Sequence, residues 1–282
     1  MEGSLLDEVA GNPISQGISF ELIPIKNLEH QLPLLPAGSK VSVTCSPAKG
    51  VDVTMALAAH LQGLGLRATP HVAARMVRDR GHLAKLVATS TEAGLREWFV
   101  VGGDAEQPVG SYPDGLALVQ DLMELPHGLD AVGVPAYPDG HVFISPTTVT
   151  ASLHAKQAVL ADAGVAGWVS TQLCFDPDVI RRWLQTERAA GLTLPVRLGL
   201  SGPVERTKLL TLGMRVGVGQ SLRYLRKNRR GVGGLLGGDG YDPDHLLAAL
   251  RPDLEALGVE GIHLFTFNQL GAAVDWQRSL AA

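Results

Sequence analysis

Glu21 sits inside ISFELIPIK, a stretch otherwise made of apolar and β-favouring residues. A carboxylate in such a strand is costly to bury unless it is paired, hydrogen-bonded or protonated. Other reactive residues recur at comparable positions along the chain. Thr44 closes VSVT, Pro70-His71 lies inside another apolar run, and Gly102-Gly103-Asp104 ends a fourth. Tyr137-Pro138-Asp139 follows a fifth with His141 just after, Gln172 to Asp176 follows a sixth, and Asn268 ends the last. Taken singly each has a structural explanation: Asp104 as a turn cap, His71 as a satisfied core histidine, Gln172 as a sheet partner. Together they bring two carboxylates, two imidazoles, a phenol and two amides to equivalent points of successive elements. Such a set suits proton transfer to a hydrogen-bonded polar heterocycle.

The elements that must position them are legible as apolar, β-rich runs at 18–23, 41–45, 69–73, 98–102, 131–137, 167–175, 196–200 and 262–268. Helical periodicity falls between most of them, at 53–64, 114–123, 148–163, 177–190, 204–212 and 243–257. Several of these segments open on Pro or a short polar cap and close on Gly, as from Asp176-Pro177 to Gly191. Alternating strands and helices predict an α/β fold with a parallel sheet. Eight units in this length fit a (β/α)8 TIM barrel, whose chemistry sits at the carboxyl ends of the strands. A doubly wound open sheet is the second choice, and the first strand lacks the GxGxxG turn of a dinucleotide fold. The glycine-rich GGLLGGDG at 233–240 follows no strand and reads as a flexible loop.

With 282 residues, 45% of them hydrophobic, the chain can fill one large core. Residues 1–16 read as a flexible tail and 17–282 as a single barrel domain, with no linker or repeat between. A net charge of −4 argues against a nucleic-acid surface. Two cysteines, Cys45 and Cys174, are too few for a disulfide framework and suit a reducing cytoplasm. The acidic amino-terminal stretch is unlike a signal peptide, and no run has the length of a membrane span.

In order along the chain, FELIP (20–24), VVGGD (100–104), AYPDGH (136–141), ADAGVAGWVSTQLCFD (161–176) and HLFTFN (263–268) resemble motifs of the methylenetetrahydrofolate reductase family. The family counterparts are FEFFP, LRGD, AYPE-x-H, DAGA-x-x-x-x-TQ-x-FFD and HFYTLN, and the resemblance covers about residues 18 to 270. It implies reduction of 5,10-methylenetetrahydrofolate to 5-methyltetrahydrofolate. It implies that Glu21 is the general acid that protonates N10, opening the five-membered ring to an N5 iminium. A carboxyl among apolar strand residues is expected to hold its proton more tightly, as that task requires. The alternative for Glu21 is an ion pair with a basic neighbour such as Arg197. By the same resemblance Asp104 holds the pterin, Gln172 lies beside folate and nicotinamide, and Asn268 is near the folate. Thr44, His71, Tyr137 and His141 match flavin-contacting positions. The family's dimers and tetramers imply a homo-oligomer.

The chain departs from the pattern where the flavin is held. Gly102 replaces the arginine of LRGD, and Leu153 and Leu160 replace an aspartate and a lysine. The phenylalanine after the seventh strand gives way to Pro203-Val204-Glu205-Arg206-Thr207. Losing these charged contacts weakens the grip on a diphosphate. The expectation is therefore hydride taken directly from NADH, or NADPH, without FAD, with Arg206 near the cofactor phosphates. The rivals are a flavin-dependent reductase, a folate-dependent methyltransferase or demethylase, and a folate-binding subunit. A basic run, RYLRKNRRG at 223–231, is either a solvated helix face or a landing site for phosphates or a polyglutamate tail.

Overall fold

Each β-rich run becomes a strand of one closed, parallel barrel in the computed structural model, which describes residues 17–205, 208, 209, 211 and 240–280. The strands are β1 (Ile18–Leu22), β2 (Lys40–Val43), β3 (Arg67–Ala73), β4 (Glu97–Val101), β5 (Ala131–Ala136), β6 (Ala166–Thr171), β7 (Val196–Ser201) and β8 (Val259–Phe265). They follow one another around the barrel, and β8 closes it against β1 with Ile18 opposite Ile262 and Glu21 opposite Phe265. This is the eight-stranded TIM barrel that the alternation predicts. Among the described residues no helix is long and apolar enough to cross a membrane.

The helices on its outside are α1 (Val51–Gly63), α2 (Arg80–Glu92), α3 (Gly115–Met123), α4 (Pro146–Asp162), α5 (Pro177–Ala189), α6 (Asp244–Leu250) and α7 (Leu270–Ser279). Their starts follow capping chemistry. The side chains of Asp79, Asp114, Ser145 and Asp176 accept hydrogen bonds from first-turn amides of α2, α3, α4 and α5. Pro146 and Pro177 take first-turn positions that need no amide donor. Packing between neighbouring strands is close: a Cβ on Gly133 of β5 would lie 2.3 Å from the ring of Trp168, opposite it on β6, so only glycine fits there.

Some boundaries differ from the sequence reading. Strand β6 stops at Thr171, because Gln172 turns its amide oxygen back onto Leu173 N and Asp176 starts α5. Strand β8 stops at Phe265, because Phe267 and Asn268 adopt left-handed φ angles of 48° and 56° that a strand cannot continue. The helix expected over 204–212 begins instead as extended chain. Val204–Glu205 pairs antiparallel with Gly240–Tyr241, and Val204 packs in a small cluster with Leu173, Phe175, Leu209, Tyr241 and Phe267. The helix expected over 243–257 ends as α6 at Leu250 and continues as a short tight turn, Arg251–Asp253, around Pro252. Two helices, α2 and α7, have no counterpart in the sequence reading. Helix α2 is polar overall, but its inner face carries Leu83, Leu86, Val87 and Ser90, and Trp98 Nε1 donates to Ser90 Oγ at 2.8 Å. The tail 1–16, residues 233–239 of the glycine-rich stretch, Arg206 and the basic run 223–231 lie outside the described residues.

Candidate active site

Glu21 is the last but one residue of β1 and points into the barrel, 7% exposed. Its Oε2 lies 3.1 Å from His263 Nε2 on the neighbouring β8. The ion pair with Arg197 does not form. Arg197 begins β7 at the opposite end of the barrel, where it pairs with Glu97 at 3.2 Å and stacks 3.9 Å over the Trp168 ring. The turn after β8 fixes Glu21 further. Thr266 Oγ1 donates to the Glu21 carbonyl. Asn268 clasps Ile23 on both sides: Ile23 N donates to Oδ1 at 2.9 Å, and Nδ2 donates to Ile23 O at 2.9 Å. The two left-handed residues aim Asn268 back at β1 for this purpose. The amide keeps one N–H and one lone pair for anything else.

His71 of β3 faces the same interior. Its ring meets Phe99 edge-on at 4.8 Å and His263 at 5.7 Å, and His263 in turn meets Phe265 at 4.9 Å. His71 Nε2 is buried and has no hydrogen-bond partner among the described residues. Burial, and next the nearby His263, hold the His71 imidazole well below its usual range.

The remaining candidates line the other side of the mouth. Gly103, with φ 92°, packs so closely that a Cβ would sit 2.9 Å from the Ala73 Cβ. This turn ends β4 and leaves Asp104 exposed. Tyr137 and His141, beyond β5, meet edge-to-face at 4.9 Å. The Tyr137 phenol is pushed up to about 12 by burial and then by the charge of Asp104. Burial lowers His141, and Asp104 opposes that shift. Tyr137 and His141 thus both feel the charge of Asp104. Gln172 donates its backbone N–H to Ala136 O at 2.8 Å and uses its side-chain oxygen internally, and its side-chain N–H groups have no hydrogen-bond partner among the described residues. Thr44 extends the β2 ladder by donating to Leu22 O at 2.9 Å, and its half-buried side chain faces the same end. Past His141 the loop carries an apolar rim, with Phe143 91% exposed.

The positions proposed to have lost flavin contacts are also visible. A Cβ at Gly102 would meet no atom within 4 Å. Leu153 and Leu160 are buried in the main core. Between them on the same helix stands Lys156, a residue the sequence reading passed over. It is 7% exposed, and its ammonium makes no hydrogen bond or ion pair among the described residues. A point at Gly115 lies 3.6 Å from Lys156 Nζ and 3.5 Å from the Val101 carbonyl carbon, so the cation reaches towards the Gly102 turn. Desolvation lowers its proton affinity, against a smaller opposing effect of Asp114. One cation therefore stands near a place where three charged contacts are missing. Gly102, Leu153 and Leu160 supply none of the three charged contacts that the resemblance assigns to FAD at these positions.

A separate cavity of about 180 Å³ lies at the amino ends of the strands, between Lys40, Arg67, Glu97 and Arg197. It is at the far end from Glu21 and is not this site.

A family model described as methylenetetrahydrofolate reductase matches residues 17–213. That stretch carries Glu21, Thr44, His71, Asp104, Tyr137, His141 and Gln172, but neither His263 nor Asn268. Among solved structures, a 2,3-dimethylmalate lyase of the PEP mutase/isocitrate lyase superfamily is 13% identical with a TM-score of 0.52, covering 97% of this chain and 84% of that one. A Burkholderia cenocepacia J2315 protein assigned as a lyase/mutase is 16% identical with a TM-score of 0.50, covering 96% and 83%. At these identities the likeness is one of fold alone.

Proposed function

This chain belongs to the methylenetetrahydrofolate reductase family, and we propose that it reduces 5,10-methylenetetrahydrofolate to 5-methyltetrahydrofolate with hydride taken directly from NADH. The observation that carries the reading is the buried Glu21–His263 pair at the carboxyl end of the barrel. His263 Nε2–H donates to Oε2, which leaves Oε1 to carry the proton for N10. Protonation at N10 and cleavage of its bond to the bridging carbon leave an N5 iminium. That carbon then accepts the hydride from C4 of the dihydronicotinamide, and the overall change consumes one NADH and one proton. The carboxylate left on Glu21 is stabilised by the His263 donor until solvent returns its proton. Such an iminium is electrophilic enough to need no flavin between donor and acceptor, and no step here passes through one.

Asp104, exposed at the mouth, accepts hydrogen bonds from the aminopyrimidine edge of the pterin. The free amide of Gln172 serves the pterin and the carboxamide of the nicotinamide, and the half-buried rings of Tyr137 and His141 line the cofactor side. The Lys156 ammonium holds one phosphate of the dinucleotide. The test is NADH oxidation by protein purified without added flavin. Oxidation that depends on methylenetetrahydrofolate and yields 5-methyltetrahydrofolate supports the reading. Absence of turnover, or turnover only after FAD is added, rejects it.

A further inference from the structure

The interior of the barrel also holds a metal donor set. Glu21, His71 and His263 each offer one ligand atom, these atoms lie within 4.8 Å of one another, and all three residues are buried. Two of the donors already touch, at 3.1 Å. The third, His71, has a buried Nε2 with no partner among the described residues. Two observations thus point to a ligand independently: the convergence of the donors, and a ring nitrogen without the hydrogen bond that burial normally demands.

We propose that Glu21, His71 and His263 form a site for a divalent transition metal of the zinc type. The chemistry of the set fits. Two imidazoles and one carboxylate bind Zn²⁺ in three-ligand sites that keep a fourth position open, and imidazole suits Zn²⁺ and its neighbours over Mg²⁺ or Ca²⁺. Ligand bonds of about 2.0–2.2 Å put tetrahedral donors roughly 3.4 Å apart. The 3.1 Å pair is near that spacing already, and His71, within 4.8 Å of both, closes the remaining gap by a side-chain movement. Metal and proton then compete for the same carboxylate. A bound ion at Oε2 keeps the carboxyl in its ionised form, so Oε1 no longer carries a proton, and it holds a water at the open position. The site is therefore inhibitory to any acid chemistry of Glu21, and it exists whether or not the chain is a reductase.

The test reads metal binding without substrate. Full-length protein, stripped with a chelator, is titrated with Co²⁺ and followed by its visible ligand-field bands. The expected result is one Co²⁺ per chain with the intense bands of a four-coordinate ion, displaced by Zn²⁺. His71→Leu and Glu21→Gln should each weaken binding by about 10²-fold or more, whereas His154→Gln, at a histidine–carboxylate pair between α4 and α5, should leave it intact. Circular dichroism identifies variants that retain the fold, and Glu21→Gln, which keeps the shape of the side chain, serves if His71→Leu does not. Absence of the bands in the wild type overturns the proposal. So does binding that survives in a folded His71→Leu or Glu21→Gln variant, which would place the ion elsewhere.

Discussion

Replacing Glu21 by glutamine removes the ionisable proton and little else. The amide oxygen can still accept from His263 Nε2–H across the 3.1 Å contact, and the Thr266 bond goes to the backbone. With Glu21 protonated the bond joins neutral groups before and after the change, so its cost is at most about 1 kcal/mol. For a domain of this size that lowers the melting temperature by at most about 2–4 °C, so the variant stays folded. The chemical loss is larger. A positioned general acid contributes about 10²–10⁴-fold, which is about 2.7–5.5 kcal/mol of barrel-held transition-state stabilisation. The assay is steady-state NADH oxidation at saturating folate, with folate affinity measured separately. The expected result is kcat lower by about 10²–10⁴-fold with the dissociation constant for folate nearly unchanged. A folded variant with kcat within a few-fold of wild type refutes the role of Glu21 as acid. An equal loss in folate binding makes it a binding group instead.

Asp104→Ala removes charged hydrogen bonds of about 1.5–3 kcal/mol, so KM for folate should rise about 10- to 100-fold with a smaller effect on kcat. Lys156→Met should raise stability at neutral pH, because it relieves a desolvated charge, and should weaken NADH binding about 10-fold; denaturant titration and cofactor titration read the two effects. His71 should make stability depend on pH. Its folded value lies well below the 6.5 of the unfolded chain, so the unfolded state takes up a proton first as pH falls below 6.5. Stability present above that pH is then lost, by at most about 1.4 kcal/mol per unit, and comparison of denaturation midpoints with His71→Leu isolates the slope. The protein as purified should lack flavin absorbance, and added FAD should neither bind tightly nor raise the rate.

The strands were legible because each barrel strand is buried on both faces and reads as a short apolar run. The helix α2 was not, because Arg80, Lys85, Thr89, Thr91 and Glu92 surround an inner face whose apolar members, Leu83, Leu86 and Val87, are mixed with His82 and Ser90. Glu21 stood out as a carboxylate among apolar neighbours. Its partner did not, because His263 is 242 residues away and meets Glu21 only when β8 closes the barrel on β1. Arg197 looked eligible by strand but not by height: it starts β7, whereas Glu21 nearly ends β1. Lys156 could have been found. It lies three residues from Leu153 and four from Leu160, the spacing of one helix face, and so had to share their burial.

On the proposed mechanism the two sides of the mouth have different duties, and their hydrogen bonds fit that division. At the seam of β8 and β1 nearly every polar group is spent internally: His263 on Glu21, Thr266 on the Glu21 carbonyl, Asn268 on both sides of Ile23. That holds one carboxyl at a fixed height with little freedom, as a proton donor must be held to within a fraction of an ångström. Across the mouth, Asp104 is exposed and the Gln172 amide keeps its donors. Groups left free in this way can bind a substrate without first breaking an internal bond. Substitutions at the seam should therefore act on kcat, and substitutions at Asp104 and Gln172 on KM. Asn268→Ala tests the division: it leaves Glu21 in place chemically but frees the chain beyond it, so kcat should fall while folate affinity holds. A fall in affinity alone would move Asn268 to the binding side.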